Sequence, residues 1–297
     1  MPFPERWRGV LWIVLSAVGF GAMAIFAKLA YRDGVSLATM LFLRFSLAGL
    51  LLAGWGCSRG MRWPQGRDLL WLLAMGAVGY VGQAYCYFAA LQYASAGLVA
   101  LLLYLYPALV TLLSALLFRR RIGVARGWAV TVALVGTALT VGGDLHSQVI
   151  GVALGIGAAL IYSAYILVGE GVIARAGPLP GATVVMISAA VVYGVAAFQS
   201  GLSLPVTSMG WFSVGAIALF STLLAILGFF KGMEKLGAAD ASALSTLEPL
   251  ITLGLSALVL GEVVSGLQLV GGALILTAVV YLARHGERQA VTNAATN

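Results

Sequence analysis

The sequence predicts an all-α integral membrane protein: ten transmembrane helices forming two inverted five-helix repeats, with both termini cytoplasmic. Three observations carry that prediction. Of the 297 residues, 61% are hydrophobic and 9% charged, and the mean hydropathy is +1.01, whereas a water-soluble domain is about a quarter charged. The apolar residues fall in ten stretches, each close to the roughly 20 residues that cross a bilayer core of about 30 Å. The chain also repeats itself at an offset of 142. Gly9-Val10 recurs as Gly151-Val152, Ala17 as Ala159, Ala22 as Ala164, Ser114-Ala115-Leu116 as Ser256-Ala257-Leu258, and Pro107 as Pro249.

In chain order the stretches are 9–30, 36–56, 69–91, 95–118, 124–142, 150–173, 181–200, 210–234, 240–260 and 265–283. The first follows Arg6 and Arg8, and its Ala22-Met23-Ala24 imitates a signal-peptidase site. Its apolar run continues to Ala30 and has a repeat partner beginning at Gly151, so it is expected to be retained as a span. Turn residues divide the spans, as in Arg32-Asp33-Gly34, Gly177-Pro178-Leu179-Pro180 and Leu204-Pro205. Pro107 and Pro249 lie deep within the fourth and ninth spans. Proline removes a backbone hydrogen bond and clashes with the preceding turn, so both helices should bend there. The repeats are 9–142 and 150–283, followed by a cytoplasmic tail at 284–297, and nothing remains for a soluble domain.

Orientation follows from the positive charges. With cytoplasmic termini, the inner side holds Arg6, Arg8, Arg59, Arg62, Arg67, Arg119, Arg120, Arg121, Arg126, Arg175, Lys231, Lys235, Arg284 and Arg288, and the outer side only Lys28 and Arg32. An odd number of helices per repeat makes the second copy enter from the opposite face, which relates the halves by a pseudo-two-fold axis in the membrane plane. The net charge of +7 is thus explained by cytoplasmic loops rather than by nucleic-acid binding. Two cysteines, Cys57 and Cys86, form no disulfide framework, and His146 and His285, the only histidines, offer no metal-ligand cluster. No cofactor is expected. Gly151 with Gly155, and Gly76, Gly79 and Gly82 along one side of the third helix, suit close helix packing. Tryptophans near span ends, such as Trp7, Trp55 and Trp128, suit the interface.

Functional candidates are polar groups inside the spans. Tyrosines crowd residues 80–106, and Tyr80, Gln83 and Tyr87 share one helical face that cannot comfortably look at lipid. Tyr104, one turn before Pro107, could meet that face. At the positions equivalent to Tyr80 and Tyr104 the second half has Thr222 and Thr246, accompanied by Ser221, Ser242 and Ser245; the sixth helix adds Tyr162, Ser163 and Tyr165. Interhelical bonding is the bland account of each tyrosine, and serine or threonine can hide by bonding its own backbone. As a group they form a candidate binding wall of phenols facing hydroxyls, suited to a zwitterion with a bulky apolar side chain. Two ionisable residues lie deep within spans, Arg44 from one side and Glu248 from the other, each about 12 Å in at the helical rise. They are a candidate ion pair, acting as strut or gate; an unpaired Glu248 would instead be a candidate proton carrier. Lys28 and Glu170, equivalent in the two repeats, are expected to snorkel.

Leu43-Arg44-Phe45, Leu247-Glu248-Pro249-Leu250, Leu260-Gly261-Glu262 and Gly271-Gly272-Ala273-Leu274 resemble the drug/metabolite transporter superfamily, in particular its ten-helix members with two EamA-type repeats. The first repeat departs from that pattern, with Tyr106-Pro107 for Glu-Pro and Phe118-Arg119-Arg120 for Leu-Gly-Glu, which removes the matching carboxylate. Within the superfamily the chain is similar to the YddG-type aromatic amino-acid exporters of bacteria. The resemblance implies a multi-pass inner-membrane secondary transporter exporting amino acids and related metabolites by alternating access, with the bilayer and a small molecule as partners, and able to work as a monomer. Drugs or nucleotide sugars are the alternative cargo. An intramembrane enzyme or scaffold is remote: no P-loop occurs, and no histidine lies within a span to serve Ser256 as a base.

Overall fold

The computed structural model describes residues 3–118, 123–141 and 145–295. Arg119, Arg120, Arg121 and position 142 lie outside the described residues, as do the side chains of His146, His285 and Arg288. The described chain is all helical, with ten helices long and apolar enough to cross a membrane: α1 (Arg6–Arg32), α2 (Leu37–Ser58), α3 (Gly66–Tyr93), α4 (Ala96–Leu117), α5 (Val124–Val141), α6 (Val149–Ala176), α7 (Pro178–Ser200), α8 (Ser208–Leu236), α9 (Asp240–Leu260) and α10 (Gly266–Arg284). Every end predicted from sequence falls within three residues of these. The helices start where local chemistry allows. Ser36, Ser95 and Thr207 accept the backbone N–H of Thr39, Leu98 and Gly210, and Ser265 with Gln268 forms a reciprocal capping box. Gly177 and Gly237, at φ 84° and 85°, turn the chain between spans in a conformation that only glycine adopts without strain.

The polarity is inverted relative to a soluble protein. Leu50, Val78, Leu116 and Val191 lie on the outside, while Arg44, Ser163, Thr222 and Thr252 are buried. Exposed apolar side chains meet lipid at no desolvation cost, so packing must come from close backbone approach and from buried hydrogen bonds.

The main helix contacts respect an exchange of halves. The pairs α2–α7 and α5–α10 each join equivalent helices, and α1–α8 is matched by α6–α3, α1–α9 by α6–α4. The α5–α10 seam depends on two facing glycines: a Cβ on Gly136 would come within 2.7 Å of the Gly271 carbonyl oxygen. Gly76 packs against α7, but Gly79 and Gly82 face Tyr165 and Ile161 of α6, so the three do not line one side as expected. The reason is a π-helical segment, Met75–Tyr80, which rotates the helix between them.

That segment has a counterpart. Leu219–Leu224 of α8 is also π-helical, at the equivalent place in the second half. Both widen the backbone and leave carbonyls that neighbouring hydroxyls take up. Ser188 donates to Leu73 O at 2.7 Å and Tyr193 to Val81 O at 2.7 Å around the first; Ser16 donates to Ala225 O at 2.7 Å beside the second. The proline-containing spans are broken rather than gently bent. In α4 the helix stops at Leu103 and restarts at Tyr106; in α9 it stops at Ser245 and restarts at Leu247. Pro107 and Pro249 therefore sit in the first turn of the second segment, where a missing N–H costs nothing.

Replacing Gly136 by Val should overpack the α5–α10 seam at a cost of roughly 1–3 kcal/mol. A lowered apparent Tm in detergent is the expected result; an unchanged Tm would mean that the seam separates readily.

Candidate functional site

Side chains from both halves converge between the two helix breaks. The order of their rings is the clearest feature. Tyr104 meets Tyr106 edge-on at 6.1 Å, Tyr106 meets Tyr162 at 5.0 Å, Tyr162 stacks on Tyr165 at 6.2 Å, and Tyr165 meets Tyr80 at 5.9 Å. Tyr80 then meets Phe45 at 5.3 Å, and Phe45 stacks on Tyr193 at 5.8 Å. This chain of rings runs from α4 through α6 and α3 to α2 and α7. Such contacts add about 0.5–1.5 kcal/mol each beyond burial. Tyr80, Tyr106, Tyr162 and Tyr165 are only half-buried.

The break in α4 also places Tyr104. Its hydroxyl donates to Ser245 O at 2.6 Å, at the end of the first α9 segment, close to Glu248. The two breaks thus face each other, joined by one phenol. Glu248 occupies the first turn of the second α9 segment, where the free N–H groups favour a carboxylate. Tyr87, Tyr106 and Tyr162 lie within its electrostatic reach.

Several expected arrangements differ. Tyr104 meets Tyr106 and Ser245 rather than the Tyr80 face, because Tyr162 and Tyr165 stand between. Tyr87 is buried and packs on Phe88, while Gln83 is half-buried and makes no hydrogen bond among the described residues. The facing wall of free hydroxyls is not formed. Ser163 donates to Ala159 O, Thr222 to Ile217 O, Ser245 to Ala241 O and Thr246 to Ala243 O, at 2.6–3.0 Å. Each satisfies a backbone carbonyl of its own helix, the cheapest bond open to a small hydroxyl in an apolar medium. Ser242 is half-buried without a bond of that kind, and Ser221 Oγ is buried without a partner. Missing from the sequence-based set were Tyr193 and Phe45, which only the α2–α7 contact brings to the site.

Arg44 and Glu248 form no ion pair. The ion pairs among the described residues are Arg6–Asp240, Lys28–Glu262 and Arg175–Asp68. Arg44, 4% exposed, donates from Nε to Thr222 Oγ1 at 2.9 Å, and its guanidinium lies over Phe45 and Phe88 at 4.8 and 5.2 Å from their centroids. Similar depth in the membrane did not bring the two together, since aromatic side chains from α3 occupy the space around Arg44.

Lys28 does not snorkel. Its Nζ meets Glu262 Oε1 at 2.6 Å and donates to Ala94 O at 2.8 Å, and the Ala96 N–H donates to Glu262 Oε2 at 2.8 Å. With the two side chains 19% and 16% exposed, this latch ties α1, the α3–α4 turn and the end of α9 across the halves. On the same face Asp33 accepts the N–H groups of Val206 and Thr207 at 2.8 and 3.1 Å. On the opposite face the ties are exposed, Arg175 to Asp68 at 2.6 Å and Arg6 to Asp240 at 3.6 Å. A cavity of about 320 Å³ opens there, lined by Val10, Leu236, Ala243, Leu244 and Val280 beside Arg6 and Asp240. One face is therefore latched and the other carries a cavity.

A ten-helix bundle with broken, facing helices and an interior polar wall defines a membrane transporter. The chain matches the EamA-like transporter family over residues 7–142 and again over 149–284. It belongs to that family, within the drug/metabolite transporter superfamily. Similar proteins include the inner membrane transporter YicL of Salmonella typhimurium, 25% identical over 95% of this chain and 97% of YicL. The threonine/homoserine exporter RhtA of the same organism is 26% identical over 86% of this chain and 88% of RhtA. An Archaeoglobus fulgidus transporter is 24% identical over 92% and 98%. A solved crystal structure with 22% identity superposes with a TM-score of 0.64, covering 94% of this chain and 98% of that one, which shows the shared fold.

Two outcomes test the latched face. Glu262→Gln leaves Lys28 without its countercharge and should lower the Tm, and adding Lys28→Met should recover part of the loss; purely additive effects would remove the coupling. The Asp33 carboxyl is held below the ordinary carboxylate range, first by the Thr207 hydroxyl and then by the backbone N–H groups. Because its folded value is depressed, its contribution is full above about pH 4 and lost as the pH falls through the lowered value. The Tm difference between wild type and Asp33→Ala should therefore be constant near neutrality and shrink only in acid.

Proposed function

We propose that the protein is a secondary exporter of amino acids, large neutral or aromatic ones foremost, and of related metabolites. The reading rests on one observation: a continuous phenol-bearing aromatic wall between the broken helices of the two halves, with one carboxylate, Glu248, and one guanidinium, Arg44, near it among the described residues. Apolar ring faces suit an amphipathic side chain, and phenol hydroxyls can bond a polar head. RhtA, a relative named as a threonine/homoserine exporter, supports amino-acid cargo. The aromatic wall supports the narrower likeness to YddG-type exporters. A nucleotide-sugar cargo would need a cluster of cations at the wall, where Arg44 stands alone among the described residues.

The site residues in this reading are Tyr80, Tyr104, Tyr106, Tyr162 and Tyr165, with Arg44 and Glu248. Glu248 is the interior carboxylate available for proton coupling. The halves, 9–142 and 150–283, are taken as inverted repeats with cytoplasmic termini; the half-exchange symmetry of the contacts and the charge bias of the loops support this. The Lys28–Glu262 latch then closes the outer face, the cavity beside Arg6 and Asp240 is the inner entrance, and rewinding of the π segments accompanies switching. The ten spans, together with a relative named as an inner membrane transporter, support a multi-pass place in the bacterial inner membrane.

Liposomes holding the purified protein and a mixed amino-acid load test the reading. Selective release of large neutral or aromatic amino acids is expected, with Tyr106→Ala and Tyr162→Ala each reducing it roughly tenfold, about 1.4 kcal/mol, at unchanged folded yield. Release no faster than from empty vesicles would remove amino acids as cargo. A pH gradient that accelerates release by wild type, while Glu248→Gln still releases amino acids at a rate indifferent to the gradient, would assign the proton to Glu248.

A further inference from the structure

Arg44 is a buried cation without a fixed counter-ion. No carboxylate lies within 4 Å of it among the described residues, where the ion pairs join other groups. A charge placed so deep is costly unless something neutralises it. Two ring faces and one threonine oxygen offset only part of that cost, since a cation–π contact contributes about 0.5–2 kcal/mol.

The geometry of its bonding shows which part of the side chain is spare. Nε is committed to Thr222 Oγ1 at 2.9 Å, and the hydroxyl's own proton goes to Ile217 O at 2.8 Å. That contact holds the guanidinium of the first half against the π segment of the second. The two terminal nitrogens have no protein acceptor among the described residues, yet they are not sealed: the only sealed, unpartnered side-chain atom there is Ser221 Oγ. Arg44 is mid-helix and its sides are covered by Phe45 and Phe88. The free edge of the fork therefore meets interior space.

We propose that this edge binds the carboxylate of the transported molecule, in the bidentate form that a planar guanidinium and a carboxylate share. The proposal deepens the exporter reading and rests on it for the location of the cavity. Glu248 supplies the complementary end. It has no cation within 4 Å among the described residues, and Tyr87 lies within electrostatic reach of both Glu248 and Arg44. An interior cation and an interior carboxylate that share Tyr87 as a neighbour are neutralised together by a ligand of no net charge that carries both. The cargo is thus a zwitterion with its carboxylate at Arg44 and its ammonium at Glu248. A lysine at position 44 would supply charge without the fork.

Thermal stabilisation of the purified full-length protein tests this with matched probes: L-phenylalanine, L-phenylalaninamide, which lacks the carboxylate, and 3-phenylpropionate, which lacks the amine. Wild type should respond most strongly to phenylalanine. Arg44→Gln should weaken phenylalanine and phenylpropionate roughly ten- to hundredfold, the size of a lost charge-assisted bond, with phenylalaninamide little affected. Arg44→Lys should recover part of the carboxylate response, and it serves as the test variant if Arg44→Gln does not fold. Glu248→Gln should show the mirror pattern, losing the amide and keeping the acid. A wild type indifferent to the carboxylate, or an Arg44 variant that distinguishes acid from amide as wild type does, overturns the proposal. Failure of the exporter reading looks different: carboxylates would bind through Arg44 while no amino acid leaves the liposomes.

Discussion

Inside a bilayer every peptide group must find a partner within the protein, because hydrocarbon offers none. The rest of this structure depends on that constraint. Helices may run anywhere, but a break in a helix can sit only where other protein groups cover it. The breaks at Tyr104–Leu105 and Thr246 therefore lie in the interior, and the phenol of Tyr104 takes the carbonyl freed at Ser245. The π segments obey the same rule, their spare carbonyls being taken by Ser188, Tyr193 and Ser16. Irregular backbone, the costliest thing to place in a membrane, is thus covered by groups of neighbouring helices.

Concentrating irregularity there also makes the region able to move. A π segment and a broken helix each hold fewer helical bonds than a straight one, and the side chains that satisfy their carbonyls belong to neighbouring helices. In the proposed transport cycle, relative sliding of the halves would exchange one partner for another. The two faces are unequal in this respect: a part-buried ion pair with two backbone bonds closes one, and exposed pairs worth about 0–1 kcal/mol each span the other.

The buried charges obey a different economy. Lys28 and Glu262 neutralise each other, so their burial is stable in one arrangement of the halves. Arg44 and Glu248 do not meet, and each lies among neutral groups: a threonine and ring faces beside Arg44, the Tyr104 phenol beside Glu248. In the proposed zwitterion site, that separation is what a ligand would bridge and a closed pair would exclude.

The sequence by itself determined the ten spans, the doubling of the chain, the prolines that interrupt α4 and α9, and the tyrosine-rich character of the interior. These follow from local hydropathy, from proline's covalent geometry and from a repeat visible at fixed offset, none of which needs a neighbour. Only the tertiary structure decided who meets whom. The π segments carry no local signature in Met75–Tyr80 or Leu219–Leu224, since they arise where packing against adjacent helices stabilises one extra residue per turn. Lys28 looked like a snorkelling residue because its partner, Glu262, is more than 200 positions away. That the hydroxyls of Ser163, Thr222, Ser245 and Thr246 can bond their own backbone was foreseeable from sequence, but which of them would do so was decided only once the helices were packed. Arg44 and Glu248 matched in depth, but depth is one coordinate, and the lateral distance that decides whether two charges pair is set by packing alone.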